Sequence, residues 1–199
     1  MLEADRFGDK VLRLADGNFL KLFRRKRLIS SAMIFPYAQR FASNAQALHK
    51  LGIPCPEIIG VYRIASIERD AVHYRPLPGN TLRQLRAEEQ KASNGLGEQL
   101  GELIARLHQQ GVYFRSLHLG NVVRTPEQSL GLIDIADMRV QGRPLSKAQR
   151  LRNFRHLLRY HDDRQWLLAD HECKTFSSYL ERSGLNWTLD QLLHRLHLT

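Results

Sequence analysis

A stretch in the middle of the chain carries polar residues whose types and spacing could hold a metal ion against phosphates. A polar loop holds Ser116, His118 and Asn121, and an apolar run further on ends in Asp134, with Asp137 close behind. The order predicted around them is a helix, the polar loop, an apolar strand, a turn and a second apolar strand. An asparagine and an aspartate at the two ends of such a hairpin offer the oxygen ligands that Mg²⁺ takes beside phosphate groups.

Each of these residues also has a plain structural interpretation. Asp134 could cap the end of its strand or pair with an arginine such as Arg139. Asn121 could bond its own backbone within a loop, and His118 could be a structural loop histidine. The residue types alone leave both interpretations open.

The elements that position this stretch begin with an antiparallel hairpin. An Asp-Gly pair separates the apolar runs 11–14 and 19–23. This pair is a strong hairpin signal because the turn needs positive φ. Alternation along the second run puts Lys21 on the same face as Phe19 and Phe23.

Further along, the apolar period switches between helix and strand. Phe41, Ala45, Leu48 and Leu51 recur at helical spacing, and Thr81 is placed to cap a helix. The predicted elements are a helix within 29–51, strands at 57–64 and 71–75, a hinge at 77–81, a helix from 81 to about 89, a helix from 96 to 110 with the apolar stripe Leu96, Leu100, Leu103, Ile104 and Leu107, two short strands, and a basic helical tail.

Composition and charge limit the class of protein. The net charge of +10 favours anionic partners such as nucleotides, phosphorylated sugars, nucleic acid or an acidic membrane face. Two distant cysteines, Cys55 and Cys173, lack metal-ligand spacing and are expected to be idle thiols in a reducing compartment. No secretory signal or bilayer-length apolar run occurs. We therefore expect a cytoplasmic protein, and the charge leaves room for peripheral contact with the inner membrane.

The central stretch resembles the catalytic loop and metal-binding motif of the protein-kinase-like superfamily, in which H-x-D-x-x-x-x-N is followed by an aspartate. Asn121 and Asp134 are thirteen positions apart, as in many kinases. The segment ARLHQQGVYFRSLHLGN is similar to the signature of small-molecule kinases and lipopolysaccharide core kinases. The resemblance is closest to short bacterial lipopolysaccharide core kinase-like proteins of the toluene-tolerance type, and it covers the chain from Leu2 to about Arg159.

The resemblance implies an α+β, two-lobed protein-kinase-like fold. A first lobe, residues 1–76, would hold a small antiparallel sheet and one helix on the phosphate side of the nucleotide. A mainly helical second lobe, residues 77–199, would hold the catalytic-loop-like and metal-binding segments. The two would form one structural unit with a hinge near 77–81.

The resemblance also implies ATP and Mg²⁺ as cofactors. Asn121 and Asp134 would bind the metal and the nucleotide. Lys21 stands in the place of the strand lysine that pairs with the α- and β-phosphates. Phe7-Gly8-Asp9-Lys10 resembles a minimal phosphate-covering loop, in which Gly8 and Lys10 would contact the nucleotide.

Three positions depart from the family pattern. Ser116 stands where the catalytic aspartate is expected, five residues before Asn121, and Phe114 replaces the histidine of the motif. A serine cannot accept the substrate proton as a carboxylate does, so His118 or Asp137 would have to substitute. Asn44 stands where the helix glutamate that pairs with the lysine is expected, and its amide could hydrogen-bond Lys21 instead.

Two functions follow from this pattern. The first is an ATP-dependent kinase acting on a lipopolysaccharide core sugar or another small anionic or lipid-linked acceptor. The second is a pseudokinase that regulates or scaffolds a protein partner, favoured by Ser116. Nucleic-acid binding rests on charge alone and is disfavoured. The basic helix within 145–159 would pack Leu151, Phe154, Leu157 and Leu158 inward and turn Arg150, Arg152, Arg155 and Arg159 outward, either as a core helix or as a docking face for an anionic membrane or lipopolysaccharide precursor.

Overall fold

A computed structural model describes residues 3–5, 8–24, 36–88, 95–169 and 173–198. The chain divides into two compact units. The first unit comprises Met1–Pro78 together with Gly131–Asp137, and the second comprises Gly79–Leu130 together with Met138–Thr199. The segment 131–137, which the sequence analysis assigned to the second lobe, therefore belongs to the first unit.

The first unit contains a five-stranded antiparallel sheet in the order β1-β2-β3-β5-β4. The predicted hairpin at 11–23 is confirmed, and so is the predicted strand pair at 57–64 and 71–75. Lys21 lies in the middle of β3, paired with Val11 on one side and Val72 on the other. The strands are β1 (Glu3–Asp5), β2 (Gly8–Arg13), β3 (Phe19–Arg24), β4 (Glu57–Ile64) and β5 (Arg69–Arg75).

One helix, α1 (Tyr37–Lys50), packs on this sheet. Of its predicted apolar stripe, Phe41, Ala45 and Leu48 are buried, and Leu51, which caps the end of the helix, is half-buried. The predicted start of the helix, near residue 29, lies outside the described residues. The segment 131–137 is fastened to the same unit, because the Leu132 amide donates to the Pro54 carbonyl at 2.9 Å.

The second unit is mainly helical. The fold class predicted from the sequence, an antiparallel sheet followed by a helical region, is confirmed. Beyond the first unit's elements the chain forms β6 (Asn80–Thr81), α2 (Leu82–Glu88), α3 (Leu96–Gln109), β7 (Val112–Phe114), β8 (Val122–Arg124), β9 (Leu130–Leu132), β10 (Met138–Val140), α4 (Lys147–Leu157), α5 (His161–Leu168), α6 (Lys174–Ser183) and α7 (Leu189–Leu196).

Helices α3 and α6 form the centre of the second unit. The five residues of the predicted α3 stripe are all buried. The helices approach most closely at Gly101, where an added Cβ would lie 2.4 Å from the Thr175 carbonyl oxygen, so only glycine fits there. At the start of α2, Thr81 caps the helix as predicted, because its hydroxyl accepts from the Gln84 backbone amide. The Gln84 side-chain oxygen accepts from the Thr81 backbone amide in return, which completes a capping box.

The basic tail differs from its prediction in two respects. The described part forms four helices, α4 to α7. On α4, Arg150 is buried rather than exposed, because its guanidinium donates to the carbonyls of Leu145 and Ser183. Phe154 and Leu157 are buried as predicted, whereas Leu151 is only half-buried.

Cys55 is buried and lies 3.5 Å from the Ala45 carbonyl. Burial raises the pKa of its thiol to about 12, so the thiol is unreactive as predicted. None of the helices in the described ranges is both long and apolar enough to cross a bilayer.

Candidate functional site

The first unit buries a lysine ammonium in the middle of its sheet. Only 5% of Lys21 is exposed. Its Nζ lies 5.8 Å from the ring centroid of Phe23 and 5.9 Å from that of Phe41, so the aromatic faces of β3 and α1 flank the charge. A buried ammonium needs a counter-charge, because its desolvation costs several kcal/mol.

Asp134 supplies that counter-charge. Its carboxylate forms a short ion pair with Lys21 while 44% of its side chain remains exposed. Asp134 follows the buried strand β9 and has a positive φ of 52°, a region that aspartate and asparagine enter more readily than most residues. Such a backbone conformation costs of order 1 kcal/mol and is held by the surrounding structure. The partner of Asp134 in this chain is therefore Lys21, not Arg139.

Asn44 on α1 fixes the backbone next to Asp134. Its Nδ2 donates to the Ile135 carbonyl at 2.7 Å within a buried environment. The sequence analysis expected this amide to bond Lys21, and the structure turns it to the main chain of the segment 131–137 instead. Asn44, which stands in the place of the helix glutamate, therefore holds the segment 131–137 that contains Asp134.

The loop in the second unit is ordered by its own side chains. Asn121 is buried, and its Nδ2 donates to the Ser116 carbonyl at 2.9 Å, which leaves the amide oxygen as the acceptor atom of this side chain. His118 accepts a hydrogen bond at Nδ1 from the Gly120 amide at 3.1 Å. A neutral His118 in this geometry carries its proton on Nε2.

The remaining predicted residues lie in separate places. Ser116 is half-buried at the start of the loop, in the second unit. Asp137 is half-buried and ends the short 3₁₀ turn Ile135–Asp137, in the first unit. Gly8 begins β2 and pairs with Asp5, and Lys10 follows within the same strand; Phe7 lies outside the described residues.

A chain of buried hydrogen bonds that the sequence analysis missed supports the strand leading into the loop. The Asn153 amide nitrogen donates to the Phe114 carbonyl at 2.6 Å, and its oxygen lies 3.2 Å from His108 Nε2. The other ring nitrogen of His108 lies 3.0 Å from the Tyr179 hydroxyl, and Arg150 Nη1 reaches the same hydroxyl at 3.4 Å.

Burial decides the proton positions in this chain, because it lowers the pKa of His108 to about 3 and so favours the neutral imidazole. The Asn153 amide nitrogen donates to Phe114, so its oxygen accepts and His108 Nε2 carries the ring proton. Nδ1 of His108 then accepts from the Tyr179 hydroxyl, whose oxygen also accepts from Arg150.

A second buried group lies beside the loop. Asp163 is 1% exposed and accepts from Arg83 through Nε at 3.2 Å and Nη2 at 2.6 Å, and from Arg86 at 3.2 Å. The Arg83 guanidinium lies 4.6 Å from the ring centroid of Tyr160, which packs edge to face against His118. The hydrogen bonds that Arg83 donates to the Asp163 carboxylate raise the pKa of Arg83.

Each unit, taken by itself, carries side chains of the kind that bind a magnesium nucleotide. Magnesium takes one or two protein oxygens plus phosphates, rather than a complete protein cage. The Asp134 carboxylate and the Asn121 amide oxygen are ligands of that kind, and Lys21 is a cation suited to phosphate. Among the described residues no group of three or more His, Cys, Asp or Glu side chains forms a separate metal centre.

Comparison with known proteins gives a family and a fold. A family model for the phosphotransferase enzyme family matches residues 19–169. The chain is similar to the crystal structure of monomeric WbdD, with a TM-score of 0.52 and 17% identity, over 92% of this chain and 43% of that one. A medium-resolution structure of the bifunctional kinase-methyltransferase WbdD gives a TM-score of 0.48 and 18% identity, over 90% of this chain and 40% of that one. This chain therefore spans well under half the length of those chains. No curated protein matches the sequence.

The ion pair between Lys21 and Asp134 predicts an asymmetry between two substitutions. Asp134→Asn leaves the ammonium buried without a counter-charge and is expected to cost about 1–3 kcal/mol. Lys21→Met keeps the apolar stem between the two phenylalanine rings and leaves a half-exposed carboxylate, so the expected cost is under about 1 kcal/mol. Both variants would be compared with wild type by urea denaturation at pH 7. A larger loss for Lys21→Met would contradict this account.

The neutral His108 predicts that stability falls as the pH drops below about 6.5. Its folded pKa is depressed, so the unfolded chain binds a proton that the folded chain excludes, and stability present above pH 6.5 is lost on acidification. Between pH 6.5 and 5 the expected loss from this residue is about 1–2 kcal/mol. In His108→Gln, the part of the pH dependence of the unfolding free energy that comes from this residue should vanish. Denaturation curves measured between about pH 6.5 and 5 would show this. An unchanged slope in the variant would show that His108 is not the group responsible.

Proposed function

The chain belongs to the phosphotransferase enzyme family, and from this premise we propose that it binds Mg-ATP and transfers phosphate to a lipopolysaccharide core sugar or another small acceptor. The fold of the chain is kinase-like. The proposal concerns the cofactor, the residues that hold it and the acceptor.

The ion pair of Lys21 and Asp134 carries the proposal. A buried ammonium between two aromatic rings is an expensive feature in a sheet, because replacing a buried ion pair with apolar residues is often neutral or stabilising. Its cost is justified by a ligand that needs a positive charge at this point. Lys21 would pair with nucleotide phosphates, and Gly8 and Lys10 on β2 would cover them.

Asp134 and Asn121 would hold the metal. The left-handed backbone at Asp134 and the Asn44 contact to its neighbour keep a half-exposed carboxylate at a defined position. The Asn121 amide nitrogen is engaged by the Ser116 carbonyl, which orients its oxygen as a ligand. Bound Mg-ATP would supply the phosphoryl group and the neutralisation of its charge.

The family places the carboxylate that removes the acceptor's proton at the position of Ser116 in this chain. Ser116 would orient the acceptor hydroxyl rather than ionise. His118 has its acceptor nitrogen engaged by Gly120, which favours a loop-positioning role over a general base. Asp137 remains as the candidate base. Phosphoryl transfer depends mainly on positioning and electrostatics, so slow turnover is expected without a strong base.

A pseudokinase is the second candidate, and two observations favour it. Ser116 replaces the catalytic carboxylate, and Asn44 bonds a main-chain carbonyl. A pseudokinase would bind the nucleotide, or nothing, and act through a protein partner. For either function the net charge of +10 suits an anionic partner, and we propose a cytoplasmic location with peripheral contact to the inner membrane.

The nucleotide site predicts metal-dependent binding of ATP. Calorimetry at about 150 mM salt should show ATP binding that needs magnesium and that is lost in Asp134→Asn. Lys21→Met should weaken binding at least about tenfold, because one charge-assisted contact to phosphate is worth roughly 1.5–3 kcal/mol. Arg63→Gln, on the exposed edge strand β4, is the matched control for lost positive charge and should bind normally. No binding by the wild type would overturn the proposal.

The missing base predicts a gain of turnover when a carboxylate is restored. Ser116→Asp should raise ATP consumption about 10²-fold or more, the usual contribution of a positioned general base. Ser116→Asn has nearly the same shape without a base and should leave the rate unchanged. Rates would be measured as ADP release with a core oligosaccharide acceptor. Nucleotide binding without turnover in all three proteins would favour the pseudokinase.

A further inference from the structure

A long segment of the second unit contains many cations and no acid. Between Met138 and His161 the sequence has no aspartate or glutamate. Its cationic side chains lie on β10, the following loop, α4 and the end of α4: Arg139, Arg143, Lys147, Arg150, Arg152, Arg155 and Arg159.

Most of these cations are exposed and unneutralised. Arg150 is the buried one, and the other six are exposed. Within the described ranges none of those six has an ion pair with a carboxylate. On α6, by contrast, Lys174 pairs with Glu98 at 3.1 Å and Arg182 pairs with Glu102 at 3.2 Å. The absence of pairing is therefore a property of this segment and not of the unit as a whole.

Contacts within the unit show that part of this charge forms one surface. Arg139 on β10 is directly opposite Tyr113 on β7, and residues so paired lie on the same side of a ribbon. The Tyr113 ring packs against His156 on α4, with ring centroids 6.3 Å apart. The guanidinium of Arg159 lies 3.2 Å from the other side of the same imidazole.

Two further arginines extend this surface along the helix. Positions 152, 155 and 159 are three and four residues apart, which puts them on one face of successive turns. The name α4 face is used here for Arg139, Arg152, Arg155 and Arg159. The opposite side of the helix carries Phe154, which is buried in the unit.

The nearest acids in the sequence do not neutralise this surface. Asp162 and Asp163 follow the segment directly, but their partners are the arginines of α2. Asp163 is held by Arg83 and Arg86, and Asp162 lies 3.7 Å from Arg86. Among the residues that the structure describes, no carboxylate pairs with the arginines of the α4 face.

We propose that the α4 face docks the protein on an anionic lipid bilayer. Charge complementarity supplies the attraction, since basic residues near an anionic membrane surface each add to its affinity. One exposed aromatic side chain follows the face in sequence, because Tyr160 comes directly after Arg159. A tyrosine suits the boundary between headgroups and water.

A bilayer fits these observations better than a nucleic acid does. A helix that reads a groove must project from its domain, whereas α4 lies with one side packed in the unit. Single-stranded nucleic acid would need several exposed aromatic rings on which bases can stack, and among the exposed large hydrophobic residues of the described second unit Tyr160 is the one aromatic. The inference does not depend on nucleotide binding, because no residue of the α4 face belongs to the first unit or to the loop 116–121.

The test is binding of the full chain to vesicles. Wild type would be sedimented with vesicles of phosphatidylcholine alone and with vesicles containing roughly one third phosphatidylglycerol. We expect binding to the anionic vesicles alone, weakening as salt rises. The variant Arg152→Gln/Arg155→Gln/Arg159→Gln should bind about 100-fold more weakly, at about fivefold per arginine. All three positions are exposed, so a native circular dichroism spectrum is expected.

The matched control removes the same charge elsewhere. Arg13→Gln/Lys50→Gln/Arg63→Gln changes three exposed positions of the first unit and should keep near wild-type vesicle binding. An equal loss in both triple variants would assign the effect to net charge and overturn the proposal. Absence of binding by wild type, equal binding to uncharged vesicles, or tighter binding of an oligonucleotide duplex through the same three arginines would overturn it as well. Nucleotide calorimetry on the α4-face variant should match wild type, which separates this result from the nucleotide site.

Discussion

A lysine ammonium cannot stay charged inside a sheet without a counter-charge, and this requirement organises the first unit. Lys21 sits in the centre of the sheet between two phenylalanine rings, and its counter-charge comes from Asp134, far along the chain. The segment 131–137 must therefore return to the sheet. Two neutral contacts hold it there, one from Leu132 to Pro54 and one from Asn44 to the residue after Asp134. The ion pair explains why this short segment belongs to the first unit while the chain on both sides of it belongs to the second.

The second unit supports the strand before its loop with a chain of buried hydrogen bonds instead. The chain that begins at Arg150 passes through Tyr179, His108 and Asn153 and ends on the carbonyl of Phe114, just before the loop. Burial favours the neutral imidazole of His108, which then accepts at one ring nitrogen and donates at the other. The charged member, Arg150, is buried and also donates to the carbonyls of Leu145 and Ser183.

The sequence predicted the elements whose signal is local. The hairpin at 11–23 has an Asp-Gly turn, and α1 and α3 have regular apolar stripes, so turn chemistry and hydrophobic periodicity were sufficient for them. For β4 the signal was the pair Pro54 and Pro56, which forces an extended chain before the strand. Asn121 and Asp134 could be selected because their spacing matched a known motif. Strands β7 and β10 have three residues each, too short for any period to register.

Partners of buried polar groups could not be predicted in the same way. Arg150 lies at a position where helical periodicity expects solvent, yet two carbonyls from elsewhere in the unit satisfy it. The same holds for Asp163, whose two arginines are about eighty positions away. The Asn44 amide could not be assigned to Lys21 or to a backbone carbonyl without knowing which lay closer. These contacts depend on tertiary geometry, and residue type fixes only how many hydrogen bonds each group must make.

The loss of a carboxylate from α1 changes what the remaining one has to do. In the family pattern a helix glutamate neutralises the strand lysine, which leaves the aspartate for the metal. Here Asn44 carries no charge, and Asp134 is the counter-charge of Lys21. A magnesium nucleotide would therefore exchange partners at both ends of the pair, with phosphate replacing Asp134 beside the lysine and the metal replacing the lysine beside Asp134. Neither half of this exchange is favourable alone, because each would leave one charge unpaired in a partly buried place. Phosphate and metal should for this reason enter the site together, and an empty site should remain electrically neutral.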